Sequence, residues 1–120
     1  MKVIEAITRI DKLKPNSYSQ SEKIRWLSEL DGMIANEIIN THEGEHVSVI
    51  YNDDSLETTM LVAAPYDDVY LKWLEAKIDY SNAEYTKYNN SSTAFNTAYG
   101  TYERYYNRTH KPIHKVLKFF

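Results

Sequence analysis

The sequence predicts a mostly α fold: a small helical bundle with one long C-terminal helix or a kinked helix pair, and a short β-hairpin or extended loop around residues 47–62. Three observations lead there. Glycine and proline number only three each in 120 residues, so few positions interrupt regular backbone. Apolar residues recur at helical spacing in several stretches. The longest stretch, Pro65–His110, holds nine of the eleven tyrosines together with Trp73 and Phe95. From Leu74 onward a 3.5-residue beat runs through Ile78, Ser81, Tyr85, Tyr88, Ser92, Phe95, Tyr99, Tyr102 and Tyr106.

The elements follow in order. Val3, Ala6, Ile7, Ile10 and Leu13 share one helical face, and Pro15 ends that first helix. Ser19-Gln20-Ser21-Glu22 reads as a capping box, with the Ser19 hydroxyl on the Glu22 amide and Glu22 reaching back. The second helix turns Ile24, Leu27, Leu30, Ile34 and Ile38 inward, with Trp26 and Met33 widening the stripe. Its end is expected near His42, with Gly44 at or just past the cap. Trp26, Leu30 and Trp73 are expected to belong to the fold.

Val47–Tyr51 and Thr58–Val62 are β-branched runs around the turn-like Asn52–Ser55, which permits a hairpin or a long loop with strand-like edges. Pro65 is expected to open the third helix at its first position, with Asp67 and Asp68 in the first turn. Asn89–Ser92 has the composition of a break, while the unbroken beat across it argues for continuity. Pro112 ends regular helix. Residues 1–110 thus read as one helical domain, and 111–120 as a basic, apolar tail, expected to be mobile until a partner orders it.

Composition excludes several classes. The net charge of −3 gives no bulk attraction to nucleic acid, and the absence of cysteine rules out disulfides and thiolate zinc sites. Lys2, Glu5 and Arg9 break any signal-peptide core, and no apolar run approaches the ~20 residues of a membrane span, so a cytoplasm-like compartment is expected. Tyrosine pairs an apolar ring with a polar tip, which suits either a wet-edged core or a surface buried on assembly. Between Glu43 and Asp68 stand seven acids and no Lys or Arg; between Arg104 and Phe120 stand five bases and no acid. That segregation is either ordinary solvated surface or a pair of patches suited to head-to-tail contact.

His42-Glu43-Gly44-Glu45-His46 matches the His-Glu-x-x-His signature of zinc hydrolases. The chemistry needs both imidazoles one helical turn apart, with the glutamate on the bound water. Gly44 inside the motif, at the end of the amphipathic pattern, argues for a polar loop instead. His110 and His114 repeat the spacing around Pro112, which forbids the helix they would need. No Gly-x-Ser-x-Gly elbow and no glycine-rich phosphate loop is present. No catalytic residue, metal site or cofactor is expected.

Read as a whole, the chain resembles the head–tail connector (adaptor, head-completion) proteins of tailed bacteriophages and prophages. The resemblance spans nearly the full length and is carried by Tyr18–Asp31, Ala64–Glu75, Tyr88-Asn89-Asn90, Phe95-Asn96 and Tyr105–His110. It implies a structural, non-enzymatic virion protein of the phage neck, made in the host cytoplasm. Copies would form a ring that binds the portal protein and the next neck or tail-completion component. The ring would extend the DNA channel, letting DNA pass without sequence-specific binding and without membrane contact. The resemblance implies that Lys111–Phe120 reaches toward the portal, and it gives His42–His46 no catalytic counterpart. The candidate interaction residues are Tyr99, Tyr102, Tyr106, Arg104, Arg108, Lys111, Lys115, Lys118, Phe119 and Phe120. Two other classes remain: a zinc-dependent hydrolase on His42, Glu43 and His46, and another virion assembly component such as a tail-completion protein or chaperone.

Overall fold

Val3–Leu13 forms the first helix, α1. Two of the N–H groups that a helix start leaves unpaired find carbonyls far along the chain: Val3 donates to Thr58 at 3.0 Å and Ile4 to Leu56 at 2.9 Å. Val3, Ala6, Ile7 and Ile10 are buried as their spacing predicts. Leu13 is not; it is 69% exposed. The next inward step after Ile10 falls instead on Lys14, whose ammonium pairs with the buried carboxylate of Asp79. The computed structural model describes residues 1–113.

Gln20–Glu37 is α2, capped by Ser19, whose hydroxyl accepts from Glu22 N–H at 3.1 Å. The expected reciprocal half of the capping box does not form. The Glu22 carboxylate pairs with Arg25 one turn on, the stronger charge-assisted contact. Ile24, Leu27, Leu30, Ile34 and Ile38 are all buried. Lys23 is buried too, and its ammonium reaches Asp11 at 2.6 Å, tying α1 to α2.

α2 stops sooner than expected, at Glu37, and a 3-10 turn, Ile39–Thr41, follows. Asn40 competes with the helix by bonding Val47 twice: its Nδ2 donates to Val47 C=O at 2.7 Å and its Oδ1 accepts from Val47 N–H at 2.8 Å. Those two bonds close residues 41–46 into a loop. Gly44, at φ 135°, lies well outside the helix.

The hairpin alternative for residues 47–62 is not formed, and no strand occurs among the described residues. The would-be partner of Val47–Tyr51 is engaged elsewhere. Thr58 C=O takes Val3 N–H, Met60 N–H donates to Met1 C=O at 3.0 Å, and Thr59 forms an isolated antiparallel bridge with Lys2. The region is therefore the extended loop, lying over the bundle with Tyr51, Met60 and Val62 in the core.

α3 spans Asp68–Ser81. Pro65 does not open it. The Ala64–Pro65 bond is cis, and Tyr66 N–H closes a turn on Ala63 C=O at 3.0 Å before the helix begins. Asp67 takes the N-cap position and Asp68 the first turn, where negative charge suits the helix dipole.

α4 spans Tyr85–Thr109 and runs unbroken through Asn89–Ser92. There Ser91 and Ser92 hydroxyls donate to the carbonyls of Tyr88 and Asn89, and the helix continues. The break lies earlier, at Asn82–Glu84. Ala83 N–H donates to Tyr80 C=O and Glu84 N–H to Asp79 C=O, both at 3.0 Å, with Ala83 left-handed at φ 58°. Those two bonds define a Schellman motif with alanine where glycine is usual.

α3 and α4 are thus a helix pair, not one long helix, and fold back on each other as an antiparallel hairpin. Tyr80 meets Tyr88, Trp73 meets Phe95 and Tyr66 meets Tyr102, a register that descends on one helix as it climbs the other. The Lys23–Asp11 pair sets α1 antiparallel to α2, and Trp73 Nε1 donates to Trp26 C=O at 2.7 Å across α2 and α3. The result is an up-down-up-down helical bundle. Trp26 and Leu30 are buried in it; Trp73 is half-buried at the α3–α4 seam.

Candidate interaction surfaces

α4 is the least buried of the long elements. Of its 25 residues only Ser91, Phe95 and Tyr102 are buried. Its inner stripe rests on α3 through aromatic contacts, and its outer face carries threonine at four-residue spacing. Thr93, Thr97 and Thr101 hydroxyls each donate to the carbonyl four residues back, at 2.8, 3.1 and 2.9 Å. Their polar atoms are satisfied within the helix. Arg104 and Arg108 continue that exposed face to the helix end.

The structure separates the tyrosines grouped as interaction residues. Tyr102 is a core residue, 4% exposed, and burial pushes its hydroxyl up to about 12. Tyr99 is half-buried, and its hydroxyl donates to Glu37 Oε2 at 2.6 Å, joining α4 to α2. Burial and the Glu37 carboxylate both raise its pKa. Tyr106 is half-buried between two imidazoles, stacked on His110 at 3.7 Å and edge-on to His42 at 4.8 Å. Burial raises the Tyr106 hydroxyl as well.

Arg104, Arg108 and Lys111 are exposed together at the C-terminal end of α4. Lys111–Ile113 is not free of the domain: Glu43 N–H donates to Lys111 C=O at 2.8 Å and Ile113 N–H to Thr41 C=O at 3.0 Å. Lys115, Lys118, Phe119 and Phe120, and His114 with them, lie outside the described residues. The acids of the 43–68 stretch do not form one patch. Glu43 lies beside Lys111, whereas Asp53 accepts from Ser21 Oγ at 2.9 Å at the start of α2. Glu57 pairs with Lys2 and Asp67 with the N-terminal ammonium, while Asp53, at the start of α2, is remote from the basic end of α4.

The His-Glu-x-x-His residues are not on a helix. His42 has extended backbone and is buried at 5% exposure. Its Nδ1 lies 2.6 Å from Ile38 C=O, so Nδ1 carries the proton and donates. His46 is exposed, 3.4 Å from Asn40 Nδ2. The two rings therefore do not share a helical face. Among the described residues no three His, Asp or Glu side chains are grouped to hold a metal ion.

A groove of about 490 Å³ opens between α3 and α4, lined by Trp73, Lys77, Tyr80, Tyr88, Phe95 and Asn96. The Lys77 ammonium lies 4.6 Å from the Trp73 ring, held also by Glu29 at 3.4 Å. This groove joins half-buried aromatic faces to one cation.

Sequence reasoning passed over a highly connected polar group among the described residues. Asp31 is fully buried on α2. It accepts from Tyr51 Oη, from Tyr70 Oη at 2.7 Å and from Leu61 N–H at 3.1 Å. Tyr70 Oη in turn accepts from Val62 N–H at 2.8 Å. Burial raises the Asp31 carboxyl, opposed by the three donors. The signal was present. Ile24, Leu27, Asp31, Ile34 and Ile38 are a heptad seam, with one acid at a seam position. No helix among the described residues is long and apolar enough to cross a membrane. Comparison with protein-family models, curated proteins and solved structures finds no match for the chain.

Proposed function

We propose that the protein is a structural component of a tailed-phage neck, assembling as a ring that joins the portal to the next neck or tail component and continues the DNA channel. One observation carries this reading. α4 offers a long outer face of small polar residues, ending in Arg104, Arg108 and Lys111, on a helix with three buried residues out of 25. A helix so little covered within one chain is suited to being covered by neighbours. The resemblance of Tyr18–Asp31, Ala64–Glu75 and Tyr105–His110 to connector proteins supports the same reading.

Charge placement is compatible with it. Asp53 and Asp54 lie far from the basic end of α4, so identical copies can meet acid to base around a closed ring. The few exposed bases would let DNA slide, since holding a duplex takes many phosphate contacts. Partners under this reading are the portal protein, neighbouring copies and the next completion protein. The work of the protein is mechanical, with no bond-making chemistry.

The test is reconstitution with the portal protein encoded in the same genome, read by electron microscopy and co-sedimentation. A ring seated on the portal supports the proposal. Arg104→Glu with Arg108→Glu should fold normally and lose docking at least tenfold. Wild-type protein that neither binds the portal nor completes heads overturns the reading, and binding to a tail tube instead would make it a tail-completion protein.

A further inference from the structure

The segment Val47–Tyr51 pairs with no other segment among the described residues and has one side of its backbone already used. Its odd-numbered residues face α2. Val47 N–H and C=O are both bonded by Asn40, and Tyr51 N–H donates to Ser28 Oγ at 2.9 Å. The Val49 carbonyl oxygen points the same way, 3.7 Å from where a side chain on Gly32 would begin. In an extended chain successive residues present their backbone groups to opposite sides. The N–H and C=O of Ser48 and Ile50 therefore face away from α2. Among the described residues nothing bonds them. A cleft of about 270 Å³ opens beside the segment, with Ser48–Tyr51 as one wall and Ser55, Thr58, Thr59 and Leu61 as the rest. It lies where the hairpin partner would have been. Ile50 stands 83% exposed at its rim.

The anchors also hold the segment straight. Asn40, in the 3-10 turn beyond α2, and Ser28, on α2, are twelve residues apart, and only four residue steps, at most ~14 Å, separate Val47 from Tyr51. An extended backbone, with side chains covering the remainder, bridges them. A straight strand with unpaired backbone is a template for strand addition.

We infer that this edge is a docking site for an added β-strand, and that its occupant is residues 114–120 of a second copy of the chain. The chemistry of the two segments matches. Exposed acids flank the edge: Glu43 and Glu45 before it, Asp53 and Asp54 after it, while Glu57 is paired with Lys2. Residues 114–120 carry Lys115 and Lys118, no acid, and the strand-forming Val116, Phe119 and Phe120. Ile113, the last described residue, donates to Thr41 C=O, next to the Asn40 that holds Val47. A second copy reaches the open side from solvent and can run antiparallel, the better ladder. Edge and occupant are different surfaces, so the contact is head-to-tail and propagates from copy to copy. It does not depend on the assembly being a viral neck.

The experiment is sedimentation of the full chain across a wide concentration range, with two variants. Ile50→Pro removes an outward N–H that bonds nothing and suits the extended backbone on both sides. Lys115→Glu with Lys118→Glu changes only the occupant. Wild type is expected to self-associate. Each variant alone should weaken association at least tenfold while keeping the wild-type circular dichroism. Mixing the two variants leaves one intact edge and one intact occupant, and should give a one-to-one heterodimer and nothing larger. A wild type that stays monomeric, including one whose own segment covers the edge, overturns the inference. So does an Ile50→Pro chain that associates like the wild type, or a mixture that stays monomeric. Loss of portal binding with self-association intact would overturn the neck reading and leave this one standing.

Discussion

Tyr70 Oη donates to Asp31 Oδ1 at 2.7 Å, and both residues are fully buried. The same hydroxyl accepts from Val62 N–H, so one oxygen joins α3, α2 and the 47–62 loop. Asp31 adds Tyr51 Oη and Leu61 N–H from that loop. A loop without regular structure is thus fixed by donors converging on one carboxylate. Tyr70→Phe should cost ~2–3 kcal/mol, because it leaves Val62 N–H buried without an acceptor and removes one donor from Asp31. Urea denaturation measures it. A cost below ~0.5 kcal/mol would show that the hydroxyl contributes nothing.

Asp31→Asn tests the charge itself. Oδ2 accepts two donors, Tyr51 Oη and Leu61 N–H, and Oδ1 accepts Tyr70 Oη. An amide nitrogen in place of either oxygen opposes donor to donor, at ~1–3 kcal/mol. The pH dependence has a definite sign. Burial raises the folded carboxyl above its ordinary value of 3.8, so the folded state holds the proton more tightly than the unfolded state. The stability contributed by that proton is present at low pH and is lost as pH rises through the raised folded pKa. Wild-type stability relative to Asp31→Asn should therefore fall across that window. A difference that rises with pH contradicts the assignment.

Alkaline titration should divide the tyrosines. Burial raises Tyr51, Tyr70, Tyr99 and Tyr102, with Asp31 adding to Tyr51, Tyr70 and Tyr102 and Glu37 to Tyr99. Their folded pKa values exceed the unfolded value of 10, so their protonated form supports the fold below pH 10, and that support is lost as pH rises beyond it. Absorbance titration should show these four ionising late, together with loss of helical circular dichroism. A single smooth transition of all tyrosines before unfolding would refute the burial of these four.

Ala83 is left-handed in the α3–α4 turn. An L-residue pays ~1–2 kcal/mol there, partly offset by the greater freedom glycine has in the unfolded chain. Ala83→Gly should stabilise the protein by ~0.5–1 kcal/mol, read as a higher denaturation midpoint. Ala83→Val should destabilise it by more than that.

Trp73 holds α2, α3 and α4 together through the Trp26 carbonyl and the Phe95 ring, 4.9 Å away. Trp73→Ala should cost ~3–5 kcal/mol and Trp73→Phe ~0.5–1.5 kcal/mol, the latter removing the indole donor while the Trp26 carbonyl keeps its helical partner. If Trp73→Ala melts like the wild type but fails to assemble, the ring is an interface anchor and not part of the fold.

The helices themselves were legible because their causes are local. The stripe from Ile24 to Ile38, the Ser19 cap and the scarcity of glycine and proline act within one or two turns. Tertiary partners decided the rest. Thr58–Met60 pairs with Met1–Val3, so the hairpin written into Val47–Tyr51 and Thr58–Val62 does not close. The 3.5-residue beat ran through Ser81 and Tyr85 as if the helix did, yet the chain reverses at Ala83, a residue with no composition signal for a turn. Each half keeps its own inward stripe because two helices folded against each other need the same spacing as one continuous seam. Residues grouped by charge along the sequence were dispersed, Glu43 beside Lys111 and Asp53 beside Ser21, since an extended segment of a few residues covers the length of a helix with many more. Asp31 was visible as an acid in an apolar seam; what made it the hub of the loop was the arrival of Tyr51, Leu61 and Tyr70 from 20, 30 and 39 residues away. Sequence spacing determines which face a residue takes on its own helix. Which distant donor meets it there is decided by packing.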